Sequence, residues 1–362
     1  MTEFQNSNVR WPAEWGPHAA TWLSWPHNPE TWPGRLREAE AEYVTLVRLL
    51  AEREPVRINV LDAAHEEHVR GLLGRGPGDA VSCFHHPTND AWVRDHGPIF
   101  VVDRAGETAL VDFGFDAWGG KYPPWSRDDA IPRLVAGALG CERRAADFVL
   151  EGGSIDGDGA GTVLTTETCL LNEARRREGE AERTREEMER RLAAWLGARR
   201  VIWLGGEVAG DDTDGHVDDL ARFVAPGVVV AAVESDPADP NHRPLAENRA
   251  RLQAASSADG ASLSVVELPM PPPRIVAGER TPASYANFYF VNGAVLVPVF
   301  GVPSDARACA ILGEVLEGRD VVPVPCSELV LGLGAVHCLT QQEPLPVRRS
   351  APVEPAKAQG AA

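Results

Sequence analysis

A chain of 362 residues with 44% hydrophobic side chains is long enough to bury a sizeable core, as one large domain or as two. Its formal net charge of −18 argues against nucleic acid or an anionic membrane surface as a partner and suits a cationic ligand, although an acidic surface kept for solubility meets the same count. The six cysteines form no CxxC pair and no repeated spacing, so neither a zinc ribbon nor a disulfide framework is indicated and reduced thiols are the expectation.

In chain order, the tryptophan-rich opening from Trp11 to Trp25 reads as core packing ahead of a ligand cage. Periodicity predicts helices over 36–53 and 63–73, around a β-branched run at 56–61. Strands follow at 99–102 and 109–113, then a Gly- and Pro-rich loop at 118–125, a helix over 129–139 and a strand at 162–165. The next helix covers 180–196 and is stopped by Gly197, ahead of a strand at 201–204. The runs 220–224 and 228–233 flank Ala225-Pro226-Gly227 and so predict an antiparallel hairpin, which disfavours a purely parallel doubly wound sheet. A helix over 245–255, a strand at 264–268, a loop at 271–280, a strand at 294–300, a helix over 304–316 capped by Ser304 and a strand at 321–324 complete the series. The whole is mixed α/β: one domain over 1–343, then a polar, Pro- and Ala-rich tail over 344–362 expected to be disordered. No apolar run reaches the length of about 18 residues that a membrane span needs, and the N-terminus lacks a basic region followed by an apolar core, so a cytoplasmic location is expected.

Two segments carry the chemistry. Cys338, in Gly334-Ala335-Val336-His337-Cys338-Leu339-Thr340-Gln341-Gln342, is a candidate nucleophile, with an inert buried thiol as the plain alternative. His337 is a poor base for it, because neighbours on an extended segment face opposite ways. In Asp211-Asp212-Thr213-Asp214-Gly215-His216-Val217-Asp218-Asp219, an extended backbone would put Asp212, Asp214, His216 and Asp218 on one face; a solvated acidic turn is the alternative. Read as a calcium loop, the run fails at both ends, where Gly210 and Ala221 occupy ligand positions. A zinc site from His85, His86 and His216 has no motif spacing to support it. Asn89 to Pro98 and Glu151-Gly152-Gly153 place further polar groups at strand ends, with a plain surface Arg94–Asp95 pair as the alternative for the first. No Walker loop or dinucleotide fingerprint exists.

Trp11 to Trp15, Asn89 to Asp95, Glu151 to Ile155, Asp211 to Asp219, Ala283 to Tyr289 and His337 to Gln342 together, in collinear order from about residue 10 to 343, closely resemble the agmatine deiminase family of guanidine-modifying enzymes. The resemblance implies an α/β propeller of five ββαβ units, the pentein fold, with neither metal nor organic cofactor. It implies hydrolysis of agmatine to N-carbamoylputrescine and ammonia on the way to putrescine, with peptidylarginine or arginine deimination and non-catalytic polyamine binding as the alternatives. Carried over residue by residue, it gives Cys338 as nucleophile, His216 as acid and base, Glu151 as the carboxylate orienting it, Asp95 and Asp218 as the guanidinium pair, and Trp92 and Asp212 at the amine end. Relatives commonly associate as dimers or larger homo-oligomers. Three departures mark this chain: Asp156 stands where histidine is usual, Glu173 to Arg177 lacks an Asn/Pro-rich loop, and Leu333 replaces a common glycine.

Overall fold

The computed structural model describes residues 9–346 apart from 77, 104, 207 and 277. Within them one pattern recurs five times: two antiparallel strands, a crossing helix, and a third strand parallel to the second. Ile99–Asp103 pairs antiparallel with Thr108–Gly114, the helix Ile131–Leu139 crosses, and Glu142–Val149 returns parallel. The next unit is Ile155–Gly157, Thr162–Thr166, the helix Arg185–Leu196 and Arg200–Leu204. Ala221–Ala225, Val228–Val233, the helix His242–Ala254 and Ser264–Pro269 form another, and the 225–227 turn makes its first pair the expected hairpin. Tyr289–Val291, Ala294–Val299, the helix Ser304–Val315 and Asp320–Pro325 form a fourth. The fifth is assembled from both ends of the chain. Gln341–Pro344 pairs antiparallel with His18–Ser24, the helix Leu36–Ala51 follows, and Val56–Val60 and then Val81–His85 add in parallel.

Local chemistry sets the boundaries. Thr184 caps the helix Arg185–Leu196 by accepting from the Glu187 N–H, so this helix begins five residues later than its periodicity alone predicts; Gly197 ends it at a positive φ of 73°. Ser304 does not cap the last helix. It is the first helical residue, its hydroxyl meets the Tyr285 hydroxyl at 2.7 Å, and the Asp305 carboxylate instead accepts from the N–H groups of Phe300, Gly301 and Val302.

Six strands of these units have no counterpart among the predicted ones: His18–Ser24, Val81–His85, Glu142–Val149, Ile155–Gly157, Tyr289–Val291 and Gln341–Pro344. Three are the first strands of their units and are buried almost throughout. They are short, and several carry charged or amide side chains, so neither alternation nor β-branched enrichment marks them. The loop expected at 271–280 contains a small hairpin, Ile275–Val276 against Glu279–Arg280. In the tryptophan-rich opening Trp22 and Trp25 are fully buried, their indole N–H groups donating to Glu343 and Glu40, while Trp11 and Trp15 are partly buried and pack against the core; Trp32, just beyond, is fully buried and donates to the Leu329 carbonyl. Pro344 ends a strand and the Leu345 N–H donates to the Pro17 carbonyl at 2.8 Å; the rest of the expected tail, 347–362, lies outside the described residues. No described helix is long and apolar enough to cross a membrane.

Candidate active site

Asp95 sits in the one-turn helix Val93–His96, directly after Trp92. Its Oδ1 accepts the Gly153 N–H at 3.0 Å and its Oδ2 the Trp118 indole N–H at 3.0 Å. Arg94 turns the other way and is buried, bonding the His337 carbonyl at 3.3 Å and Gln342 Oε1 at 2.9 Å, so Arg94 and Asp95 are not a surface pair. Glu151 precedes the tight turn Gly152–Ser154. At Gly153 a Cβ would stand 2.6 Å from His216 Nδ1, 2.8 Å from Asp95 Oδ1 and 3.1 Å from Asp218 Oδ2. Three candidate side chains therefore crowd one point that only glycine leaves open.

The 211–219 run is not extended. Asp214 and Gly215 have φ of 65° and 97°, and His216 opens the 3-10 turn Val217–Asp219. The expected common face of Asp212, Asp214, His216 and Asp218 is therefore divided. Asp211 folds back on its own loop, accepting the N–H groups of Thr213 and Gly215. Asp212 Oδ2 takes the Tyr122 hydroxyl at 2.5 Å, and Asp214 Oδ2 takes Lys121 at 2.9 Å and Arg175 at 2.7 Å. His216, Asp218 and Asp219 are buried inside.

Cys338 and its neighbour also lie in a turn rather than an extended strand. That removes the ground on which His337 was set aside. Its Nδ1 lies 2.7 Å from Asp218 Oδ2 and its Nε2 2.8 Å from Glu14 Oε2, so it bridges two buried carboxylates. The Cys338 sulfur receives the Asn287 amide at 3.1 Å and lies 3.7 Å from the same Asp218 Oδ2. At Gly334 a Cβ would meet the Trp92 ring at 2.4 Å and the Cys338 Cβ at 3.0 Å, so indole and sulfur-bearing residue flank one backbone atom.

Electrostatics follows from burial. The Asp95 carboxyl is pushed up to about 6, first by desolvation and then by Asp218 and Glu151, with His216 opposing. Burial would lower His216, yet Asp95, Cys169 and Glu151 raise it well above the usual imidazole range. Asp218 is held below the ordinary range against its burial by the His337 hydrogen bond and charge. Desolvation, with Asp218, Asp219 and Asp95 nearby, drives the Cys338 thiol well up. Asp218 Oδ1 and His216 Nε2 are buried without hydrogen-bond partners. The centre thus holds a thiol among carboxylates and an acceptor without a donor, which is the complement of a cation bearing N–H groups.

Glu151 is buried. Its Oε1 accepts Arg175 Nε at 2.7 Å, and His216 Nδ1 is turned instead toward Asp95 Oδ1 at 3.6 Å. Glu151 is nevertheless kept below the ordinary carboxylate range, against its burial, by Arg175 and His216. Arg175 comes from the segment lacking the Asn/Pro-rich loop, and Asp156 pairs with buried Arg222 at 2.5 Å. Leu333 holds φ of 72°, a conformation suited to the glycine it replaces. Glu14, Asn287 and Arg222, all absent from the expected set, frame His337 and Cys338; the first two lay within the quoted motifs, but nothing in their spacing marked them. The histidine trio does not assemble: His85 meets Glu66 at 2.8 Å and His86 meets Asn59 at 3.0 Å.

The sequence profile of the Porphyromonas-type peptidyl-arginine deiminase family matches residues 10–344. The agmatine deiminase of Ectopseudomonas mendocina is 41% identical over 92% of this chain and 95% of its own, and that of Pseudomonas aeruginosa strain LESB58 is 40% identical over 93% and 96%. Among solved structures, a substrate-bound cysteine-to-serine variant of C. jejuni agmatine deiminase aligns with a TM-score of 0.85 at 30% identity, covering 96% of this chain and 100% of that one. The Enterococcus faecalis agmatine deiminase aligns with 0.86 at 32%, covering 95% and 99%.

Proposed function

Because the chain belongs to the Porphyromonas-type peptidyl-arginine deiminase family, we propose that it is an agmatine deiminase, releasing ammonia from agmatine and leaving N-carbamoylputrescine. The observation that carries the reading is the buried ring of Asp95, Asp218 and Asp219 around the Cys338 thiol, with Asp218 Oδ1 lacking a donor. A guanidinium stays charged at any working pH, and its resonance makes the central carbon a poor electrophile. Asp95 and Asp218, accepting its N–H groups from either side, orient the plane and draw its charge toward the nitrogens.

The same cation answers the problem of the thiol. Cys338 is held protonated by burial and by three aspartates; a guanidinium seated among them offsets that negative field and favours the thiolate. The thiolate attacks the central carbon, and His216, whose imidazolium form its surroundings favour, gives a proton so that ammonia leaves. A thiouronium remains on Cys338. Neutral His216 then takes a proton from water, hydroxide adds to the carbon, and the carbon–sulfur bond breaks to return the thiolate while the added hydroxyl gives its proton to solvent, releasing the neutral urea product. His337 positions Asp218, and Asn287 positions the sulfur.

At the other end of the substrate, Trp92 supplies an apolar wall beside Cys338 and Asp212 an anion for the amine. Burial of every reacting group, with Lys121 and Tyr122 fastened to the 211–214 loop, favours a small free amine over an arginyl peptide. Ammonia release is measured on agmatine, arginine and an arginyl peptide. Agmatine is the expected substrate, and Cys338→Ser is expected to lower its turnover by at least about 10³-fold. Unchanged release by that variant removes the covalent mechanism; release from arginine or the peptide alone removes the substrate assignment.

A further inference from the structure

One buried group is not used by this chemistry. Cys169, fully buried in the short helix Glu167–Leu170, places its sulfur 4.0 Å from Glu151 Oε2. The donor atoms of Glu151, Cys169 and His216 all lie within 4.8 Å of one another, the one such group of three among the described residues. Each of the two familiar members is already oriented from behind. Arg175 occupies Glu151 Oε1 and leaves Oε2 toward the sulfur, while His216 Nδ1 is turned to Asp95, leaving the buried Nε2 without a partner. A carboxylate behind an imidazole and a cation behind a carboxylate are the supports that hold ligands in protein metal sites.

We propose that Glu151, Cys169 and His216 form an inhibitory site for a thiophilic divalent cation, with Zn²⁺ the fitting ion and water as its fourth ligand. Thiolate, imidazole and carboxylate together select zinc over magnesium or calcium, which take oxygen ligands. Tetrahedral zinc with bonds of about 2.3 Å to sulfur and 2.1 Å to oxygen separates those two atoms by about 3.6 Å, so the 4.0 Å between Cys169 and Glu151 closes with a few tenths of an ångström of movement. Binding forms Zn–S, Zn–N and Zn–O bonds and releases the thiol proton, and any proton on His216 Nε2, to solvent. The inhibitory consequence rests on the deiminase reading, in which His216 carries protons: with zinc on the ring, it has no lone pair to do so.

The experiment separates this site from the Cys338 sulfur. Co²⁺ is titrated into the intact protein and into the Cys338→Ser, Cys169→Ser and Cys169→Ala variants, following the thiolate-to-cobalt absorption, and Zn²⁺ competition gives the affinity. The band is expected in the wild type and in Cys338→Ser; in both Cys169 variants it is expected to vanish, with Zn²⁺ affinity at least about tenfold weaker. Zn²⁺ is likewise expected to suppress ammonia release by the wild type reversibly, EDTA restoring it, and to need at least about tenfold more metal in Cys169→Ser. A band that survives Cys169 substitution but is lost in Cys338→Ser puts the metal on the other sulfur and overturns the proposal. Absence of a band from Cys338→Ser overturns it too, even if neither Cys169 variant folds. Metal binding at Cys169 without ammonia release from agmatine in metal-free protein leaves the site standing and removes the deiminase reading instead.

Discussion

The run Asp211 to Asp219 contains two kinds of aspartate within nine positions, and they differ in how their oxygens are satisfied. Asp211, Asp212 and Asp214 are matched: backbone N–H groups, the Tyr122 hydroxyl, Lys121 and Arg175 take up their oxygens, and they hold a loop in place. Asp218 and Asp219 are buried with less. Asp218 has one oxygen bound by His337 and one bound by nothing, while burial beside Asp218 and Asp211 drives Asp219 well above the carboxylate range. Burying charge without a partner is costly, so a protein keeps such a place only where a ligand completes it. On the proposed reading the inner pair awaits the guanidinium, while Asp211 and Asp214 hold the loop that offers Asp212 to the amine.

The largest effect expected from this division is on Asp218→Asn. It keeps the shape and removes the charge that meets guanidinium, and kcat/KM for agmatine should fall roughly 10²- to 10³-fold, since losing one partner of a buried charged pair costs about 2–5 kcal/mol. A fall of less than tenfold would equate the inner and outer aspartates. The pH profile comes next. With Asp95 at about 6, its carboxylate takes a proton as pH falls through that value and loses its hold on the cation. From pH 6 toward 5, kcat/KM should therefore drop, approaching about tenfold per unit. Asp214, held below the ordinary range against its burial by Lys121 and Arg175, stays charged there, so circular dichroism should report an unchanged fold over the same interval. A flat kcat/KM between pH 7 and 5 would remove Asp95 from binding.

Asp214→Asn should be milder, with turnover within about fivefold and stability lowered by about 1 kcal/mol in denaturant titration, as for a partly exposed ion pair. A hundredfold loss of turnover would make this loop part of the reaction centre. The smallest effect is expected at Leu333→Gly, away from both groups: relieving the left-handed backbone at φ 72° offsets the flexibility glycine adds, for a net gain of no more than about 1 kcal/mol. A loss larger than that would show that the Leu333 side chain matters more than its strained backbone.

The sequence made the helices and the β-branched strands readable because their apolar spacing is regular, and the 225–227 turn announced its hairpin. It hid six others, among them the edge strands Val81–His85 and Glu142–Val149 and three first strands. Ile155–Gly157 is three residues long with Asp156 in its middle, and Gln341–Pro344 contains no β-branched residue, so neither has a period to find. Five repeats were invisible for the same reason, and because one of them draws strands from both termini. The candidate site was legible through motif resemblance, which brought out Cys338, His216, Glu151, Asp95 and Asp218 as one constellation; the structure brings all five into one buried neighbourhood. The alternation argument for 211–219 failed, since positive φ at Asp214 and Gly215 breaks the period on which it depended. It failed likewise for His337, whose place between Asp218 and Glu14 requires a turn at 336–339. Arg175 and Cys169 had no local signal, because their importance arises only from contact with Glu151 across 18 to 24 positions of chain.

Pairing of Gln341 with Trp22 ties the last strand of the fold to His18–Ser24, near its N-terminal end. During synthesis His18–Ser24 emerges early and gains Val56–Val60 soon after, but must wait for nearly all the rest before its antiparallel partner exists. A nascent or prematurely ended chain therefore lacks both the sulfur of Cys338 and the strand that seats it, and four sheets can form around a centre without the proposed nucleophile. On the proposed mechanism, competence to react with a guanidine arrives only with completion, so unfinished copies are silent rather than promiscuous.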